Sequence, residues 1–379
     1  MRRALWLIPS LLLLASPVSA QTSEAWTRCV NDKGTHAADV VIAACTAVIV
    51  AGTESRAGLA VAHFNRANAY ESKGDASRAI ADYDKAIDLD PADADSYVNR
   101  GATYRARGDV ERAIADYSRA IELKPRHVRA YANRGNAHRD KGDLDAAIAD
   151  YDRAIDIDPN IADLYHSRGV AYRAKGDNNR AIADYGKAIA IDPSFAAAYA
   201  QRGYAYRSAG QLDAAIADLS KAIEIGPRDA DAYNNRGYAY RRKGQLELAI
   251  ADLDKAIEID PRLVNAYSNR GAAYESRGEF DRAIADYSKA IEIDPANADY
   301  HNGRAWALYK AGRAQQALPD ADRSLQLRPN DANTLDTRGH ILEALGRRED
   351  AIADFRRALA RDPGIKDSLA ALKRLGANP

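Results

Sequence analysis

Nine prolines recur at a constant interval of 34 residues, with no insertion or deletion between them. A strict period of this length is typical of a repeat array, in which each short unit must stack on its neighbours to bury an apolar core. The pattern therefore predicts an extended series of small modules, and it disfavours a globule with one central core. The prolines are Pro91, Pro125, Pro159, Pro193, Pro227, Pro261, Pro295, Pro329 and Pro363.

Each unit is predicted to consist of two helices. In residues 97–125, YVNRGATYRARGDVERAIADYSRAIELKP, two apolar-periodic stretches are separated by Gly108-Asp109 and closed by Pro125. We number each unit so that its proline is at place 32. Place 15 is then always glycine, which favours a left-handed residue at the end of the first helix. Aspartates that directly follow this glycine are predicted N-caps of the second helix: Asp75, Asp109, Asp143 and Asp177.

The residues at fixed places of the 34-residue unit resemble the tetratricopeptide repeat. The family's places 4, 8, 11, 20, 24, 27 and 32 are occupied in one unit by Tyr97, Gly101, Tyr104, Ala113, Tyr117, Ala120 and Pro125. The resemblance covers nine repeats over residues 60–363, and it implies an all-α fold: a right-handed superhelical solenoid of stacked helix-turn-helix repeats. Small residues at places 8, 20 and 27 predict close helix packing around a buried aromatic residue at place 24. The aromatic residues are Tyr83, Tyr117, Tyr151 and Tyr185.

Place 7, commonly leucine in that family, is arginine in every unit, and place 23 is always aspartate. On a helical wheel place 7 flanks an expected buried stripe at places 4, 8 and 11, so this charge needs a partner. We expect a bidentate Arg–Asp pair, such as Arg236 with an aspartate of its own or the next unit. A framework role is the preferred interpretation, and a ligand-binding role is the alternative.

Residues 1–20 have the pattern of a secretory signal peptide. A basic start, an apolar segment over residues 4–15 and small residues before Gln21 predict cleavage after Ala20 and a periplasmic or secreted protein. An uncleaved leader that anchors the chain in a membrane is the alternative. No later segment is a candidate membrane span.

Residues 21–59 are predicted to form a degenerate helix pair, and residues 364–379 a C-terminal capping helix after the last repeat. Cys29 and Cys45 are the two cysteines of the chain, and in register with the repeats they fall at places 8 and 24. With an export signal, a disulfide between them is the leading hypothesis. Redox catalysis is the weaker alternative, because Cys-x-x-Cys spacing is missing. Pro319 falls inside an expected second helix and is predicted to kink or shorten it.

The sequence indicates a non-catalytic protein. The seven histidines are scattered, and we find no metal-ligand spacing, phosphate-binding loop or nucleophile motif. We therefore expect no enzyme activity, no metal and no cofactor. A formal net charge of +0 also argues against a nucleic-acid partner.

A helical wheel of the first helix predicts the candidate binding surface. Places 2, 6, 9 and 13 point away from the buried stripe, and places 5 and 12 lie at the edges of this outward-facing surface. Place 6 gives an asparagine row: Asn65, Asn99, Asn133, Asn235 and Asn269. Place 12 gives an arginine row: Arg105, Arg139, Arg173, Arg207 and Arg241. Tyr204 and Tyr238 at place 9 add flat apolar contacts. The asparagine row resembles the ladder with which some tetratricopeptide superhelices hold extended peptides.

Two functions of different class follow from these rows. The favoured one is a protein-interaction scaffold or adaptor that binds an extended, acidic peptide segment of a partner in the cell envelope. The alternative is binding of an anionic glycan or envelope polymer through the arginine row. Two structural explanations also remain open at this point, because the asparagines could bond neighbouring helices and the arginines could serve solubility alone.

Overall fold

The structure is a computed structural model that describes residues 17–31 and 34–378, with side chains from residue 24 onward. The apolar part of the predicted leader, residues 4–15, lies outside the described residues. Every regular element in the described part is an α-helix, and no strand occurs there. The chain divides into two compact units, one ending at Asp177 and the other beginning at Asn178. The predicted all-α fold of stacked helix pairs is confirmed.

The N-terminal unit contains nine helices in its described part, and successive helices pack on one another from α1 to α9. They are α1 (Pro17–Val30), α2 (Ala38–Ala51), α3 (Arg56–Ser72), α4 (Ala76–Leu89), α5 (Ala94–Ala106), α6 (Val110–Leu123), α7 (Val128–Lys141), α8 (Leu144–Ile157) and α9 (Ala162–Ala174).

The C-terminal unit contains twelve helices in its described part. They are α10 (Asn178–Ile191), α11 (Ala196–Ser208), α12 (Leu212–Ile225), α13 (Ala230–Arg242), α14 (Leu246–Ile259), α15 (Val264–Ser276), α16 (Phe280–Ile293), α17 (Ala298–Lys310), α18 (Ala314–Leu327), α19 (Ala332–Ala344), α20 (Arg348–Arg361) and α21 (Lys366–Arg374). The last of these packs on α19 and α20, and it buries Ala371 and Leu372 there.

The turn inside each helix pair is set by the glycine at place 15. Its φ is positive in all nine repeats, between 75° and 89°, as the sequence predicts. Asp75 and Asp109 then cap the second helix, because their side chains accept hydrogen bonds from the backbone N–H groups of Arg78 and Arg112. Asp143 occupies the same position without a side-chain capping bond.

The two helices of a pair approach closely over the place 24 aromatic ring. Tyr83, Tyr117, Tyr151 and Tyr185 are at most 1% exposed, which confirms their assignment to the core. A Cβ atom added to Gly101 would lie 2.8 Å from Cε1 of Tyr117. Because real Cβ contacts are longer than that, the absence of a side chain at place 8 lets the aromatic ring fill the space between the helices.

The expected buried stripe at places 4, 8 and 11 is only partly right. In α7 the buried residues are Ala130, Gly135 and Ala137, at places 3, 8 and 10. Tyr131 and His138, at places 4 and 11, stay partly exposed. Small residues occupy the positions closest to neighbouring helices, whereas the larger rings lie at the edge of the core.

Pro319 does not shorten its helix, so the prediction that it would do so is wrong on this point. The helix α18 spans 14 residues, as α16 does. Pro319 lies on the exposed side of α18, where its ring faces solvent and the backbone carbonyl that loses its partner can bond water.

At the N-terminus, α1 and α2 pack on each other and on α3. The sulfur atoms of Cys29 and Cys45 lie 2.11 Å apart, and both residues are fully buried. The predicted pair is therefore placed for a disulfide, among Val41, Val48 and Ala62.

Candidate binding surface

Within each unit, one side of the stack is formed by first helices alone. In the N-terminal unit α3, α5, α7 and α9 contact one another in succession, and in the C-terminal unit so do α11, α13, α15, α17 and α19. Among the described residues, second helices of successive pairs make no such contacts. The first helices therefore lie on the more tightly curved, concave side of each unit. We call the residues of the first helices that point away from the second helices the inner face.

Arginine at place 7 fixes the spacing between repeats. Arg236 donates from Nε and Nη2 to the two carboxylate oxygens of Asp252, at 2.7 and 2.8 Å, which confirms the predicted bidentate pair. Its remaining Nη1 donates to Ser220 of the preceding repeat at 2.9 Å. The bond to Asp252 raises the pKa of Arg236 despite burial. This arginine thus joins two helices of its own repeat and one of the repeat before.

The same bidentate pair recurs in at least eight repeats, with N–O distances of 2.6–3.0 Å. The arginine of each pair is flanked by place 4 or place 11 tyrosines in most repeats, such as Tyr233 and Tyr240 beside Arg236. These contacts favour the framework interpretation of place 7. The pairs are Arg66–Asp82, Arg100–Asp116, Arg134–Asp150, Arg202–Asp218, Arg236–Asp252, Arg270–Asp286, Arg304–Asp320 and Arg338–Asp354.

Two asparagines of the place 6 row bond neighbouring first helices. Asn99 donates from Nδ2 to Oδ1 of Asn68 at 2.9 Å, and its own Oδ1 accepts from Arg129 at 2.7 Å. Asn269 likewise donates to Asn234 at 2.9 Å. Part of the hydrogen-bonding capacity of the row is therefore used between repeats.

The other asparagines of the row differ from one another. Asn235 is 9% exposed and donates to the backbone carbonyl of Asp231 at 2.7 Å. Asn133 is partly exposed on α7, and its amide has no hydrogen-bond partner among the described residues. Asn65 lines a polar cavity of about 310 Å³ beside Asn68 at the start of the inner face. Asn133 therefore keeps the full capacity of its amide for a ligand.

The arginine row differs between the two units. In the N-terminal unit Arg105 donates to Asp140 at 2.6 Å, and Arg139 lies 3.8 Å from the same carboxylate. Asp140, at place 13, thus neutralises part of the row, and sequence reasoning missed it because place 13 is aspartate in this repeat alone. Arg173 at the end of the unit is exposed.

In the C-terminal unit the arginine row surrounds Tyr238. The guanidinium carbons of Arg207 and Arg241 lie 5.0 and 5.3 Å from the centre of the Tyr238 ring. Arg242, which sequence reasoning also missed, lies 5.9 Å from that ring and donates to its hydroxyl at 3.0 Å. Tyr204 packs against the core formed with α12. The structure therefore brings Arg207, Arg241 and Tyr238 together.

Beyond this cluster the inner face is aromatic. Trp306 lies against Tyr309 with ring centres 5.3 Å apart, and the Tyr309 ring stacks on His340 at 5.9 Å. Glu275 lies on α15, between the helix of Tyr238 and the helix of Trp306. Burial raises the pKa of Glu275, which accepts a hydrogen bond from the hydroxyl of Tyr287 at 3.3 Å. The C-terminal unit thus combines flat rings with cationic groups.

Neither a metal centre nor a membrane span is found in the part of the chain that the structure describes. No three histidine, cysteine, aspartate or glutamate side chains converge there as metal ligands would. None of its helices is both long and apolar enough to cross a lipid bilayer.

Family models match most of the array. The model described as TPR repeat matches residues 67–105, 101–139, 135–175, 171–207, 203–244 and 237–276. Models described as Tetratricopeptide repeat match residues 264–297, 287–318 and 332–365. No curated protein sequence shows a significant match to this chain.

Several solved structures of tetratricopeptide repeat architecture are similar to this chain, although their sequence identity to it is low. A tetratricopeptide repeat protein from Parabacteroides merdae has a TM-score of 0.53 and 22% identity, over 66% of this chain and 98% of that one. Cut9–Hcn1, an APC/C hetero-tetramer, has a TM-score of 0.56 and 14% identity, over 94% and 87%. PilW, a type IV pilus biogenesis factor, has a TM-score of 0.51 and 22% identity, over 56% and 98%. At these identities the likeness concerns the fold alone.

Proposed function

Because the chain belongs to the tetratricopeptide repeat family, we propose that it is a non-catalytic protein-interaction scaffold that binds an extended, acidic peptide segment along its inner face. The observation that carries this proposal is the repetition of half-exposed amide and guanidinium groups on adjacent first helices, as at Asn99 and Asn133. Packed helices are about 8–10 Å apart, and an extended chain advances about 3.3 Å per residue. One repeat therefore offers polar contacts to about every third residue of a peptide.

The arginine row supports a peptide over a continuous anionic polymer. Asp140 interrupts the positive charge of Arg105 and Arg139, whereas Arg207 and Arg241 form no ion pair among the described residues. A partner with localised negative charges fits this uneven surface better than a uniformly charged glycan. Binding of an anionic glycan is the alternative, and peptide-array and glycan binding measurements distinguish the two.

The cellular location belongs to the same proposal. The leader pattern of residues 1–20 and the paired Cys29 and Cys45 both suit an oxidising compartment outside the cytoplasm. We expect the exported chain to begin at Gln21 and to contain no free thiol. Intact-mass analysis of protein recovered from the cell envelope checks both statements.

The test of function is capture of partner segments by the mature chain from an envelope extract, followed by peptide-array binding at several salt concentrations. Asn133→Ala should weaken peptide binding several-fold, because its unpaired amide can bond a peptide backbone. Asn160→Ala is the matched control, since Asn160 lies in an exposed loop before α9. Binding to anionic glycans alone, with no change in Asn133→Ala, would contradict the peptide proposal.

A further inference from the structure

Three guanidinium groups converge on one tyrosine of the inner face. Arg207 comes from α11, while Arg241 and Arg242 come from α13 together with Tyr238. All three guanidinium carbons lie within 5.0–5.9 Å of the Tyr238 ring centre. Cation–π attraction to the ring helps to hold these side chains beside it. We call these four residues the Tyr238 cluster.

The Tyr238 cluster has three guanidinium groups and no directly paired carboxylate among the described residues. Among the described residues none of its arginines forms an ion pair, and the buried Nε of Arg241 has no hydrogen-bond partner. Glu275 is a carboxylate that attracts Arg241 at longer range, and it is held by Tyr287. The corresponding Arg105 in the N-terminal unit shows the contrast, because Asp140 pairs with it at 2.6 Å. A donor left unpaired under such positive charge indicates a site for an anion.

Resting on the proposed function, we infer that the Tyr238 cluster binds a phosphomonoester group carried by the ligand of the inner face. A phosphomonoester has about −1.5 to −2 charges and three terminal oxygens, so it can accept from three guanidinium groups at once. A single carboxylate has one charge and is satisfied by one bidentate arginine. The arginine fork suits tetrahedral oxyanions better than a lysine ammonium does. The cluster therefore has enough positive charge to bind a dianion and one guanidinium group for each terminal oxygen.

The test is calorimetric titration of the full chain at fixed ionic strength. The probes are inorganic phosphate, a phosphoserine peptide, and the same peptide with serine or glutamate in place of phosphoserine. We expect phosphate and the phosphopeptide to bind, and Arg241→Gln or Arg207→Gln to weaken both at least tenfold. Arg241→Lys, which keeps the charge and loses the fork, should give an intermediate loss. If Arg241→Gln melts early, the exposed Arg242→Gln replaces it.

Arg282→Gln is the matched control. Arg282 also lies over a tyrosine, 5.4 Å from the Tyr274 ring centre, but it is paired with Glu279 at 2.8 Å. This variant should bind phosphate as the unaltered chain does. An equal loss in Arg282→Gln, a glutamate peptide that binds as tightly as the phosphopeptide, or no phosphate binding at all would each overturn the inference. If the chain still captures peptides but does not bind phosphate, the result contradicts only the inference about the Tyr238 cluster and leaves the proposed scaffold function standing.

Discussion

The residue that most distinguishes these repeats is the arginine at place 7. Its guanidinium uses one edge for the aspartate of its own repeat and the remaining nitrogen for place 25 of the preceding repeat, as Arg236 does with Asp252 and Ser220. Place 25 varies among aspartate, serine, threonine and glycine at these junctions. A single side chain thereby couples packing within a repeat to packing between repeats.

Removing this arginine should destabilise the chain. Arg236→Leu leaves the carboxylate of Asp252, whose side chain is 10% exposed, without its partner. Breaking a buried pair in this way costs about 3 kcal/mol, so the thermal midpoint should fall clearly. Changing Asp252 to leucine as well should restore most of the loss, since the unpaired charge is then gone. A single variant as stable as the unaltered chain would show that the pair contributes nothing.

A pH effect is expected at His166. Burial lowers the pKa of His166, and the positive charge of Arg139 adds to this lowering against the opposing influence of Asp163. The unfolded chain therefore takes up this proton first, near pH 6.5, and stability that is complete above that pH decreases as the pH falls toward the folded-state pKa. Urea unfolding at pH 7 and pH 5 should show the decrease, and His166→Gln should reduce it. A folded-state pKa above 6.5 by NMR would reverse the expected sign.

At the scale of the element, the helix pair depends on place 8 being small. A Cβ on Gly237 would lie 2.8 Å from Cγ of the fully buried Leu253 and 3.1 Å from the carbonyl oxygen of Ala249. The same atom on Gly271 would lie 3.3 Å from Tyr287 and 3.4 Å from the carbonyl oxygen of Ala283. Neighbouring repeats thus tolerate a methyl group to different degrees.

Gly237→Ala and Gly271→Ala should separate these two cases. Overpacking a tight core costs about 1–3 kcal/mol, while replacing a helical glycine by alanine returns up to about 1 kcal/mol. We expect Gly237→Ala to lower stability and Gly271→Ala to leave it nearly unchanged, by chemical unfolding of the full chain. The opposite order would mean that helix separation adjusts more easily than the contacts indicate.

The presence of two helices in each repeat, the left-handed glycine at place 15 and the Arg–Asp pair could be predicted from the sequence. Each depends on a local pattern that recurs every 34 residues. The inner face could be predicted only in outline. The partner of Arg105, and the approach of Arg207 to Tyr238, depend on side-chain directions between successive repeats. Such contacts join residues about 30 positions apart, and a helical wheel of one repeat does not contain them.

At the scale of the whole molecule, stability in a repeat array is a sum of local contributions, because each repeat contacts only its neighbours. The disulfide-capable pair Cys29–Cys45 fastens α1 to α2 across a sequence separation of 16. Its effect should therefore stay near the N-terminus.

Changing Cys29 and Cys45 to serine should cost about 3 kcal/mol of local stability. We expect faster hydrogen exchange in α1, α2 and α3, with exchange in the C-terminal unit unchanged. Treating the oxidised chain with a reductant should reproduce this result. Uniform loss of protection along the chain would contradict a local role for the bridge.

One junction of the C-terminal unit lacks the bond that place 25 supplies elsewhere. Gly186 occupies this place, and Nη1 of Arg202 lies next to it with no hydrogen bond to a neighbouring repeat among the described residues. When a repeat array is pulled from its two ends, the same force acts on every junction between repeats, so the weakest junction separates first. We therefore expect a stretched chain to yield between α10 and α11 before the arginine-bridged junctions farther along the same unit.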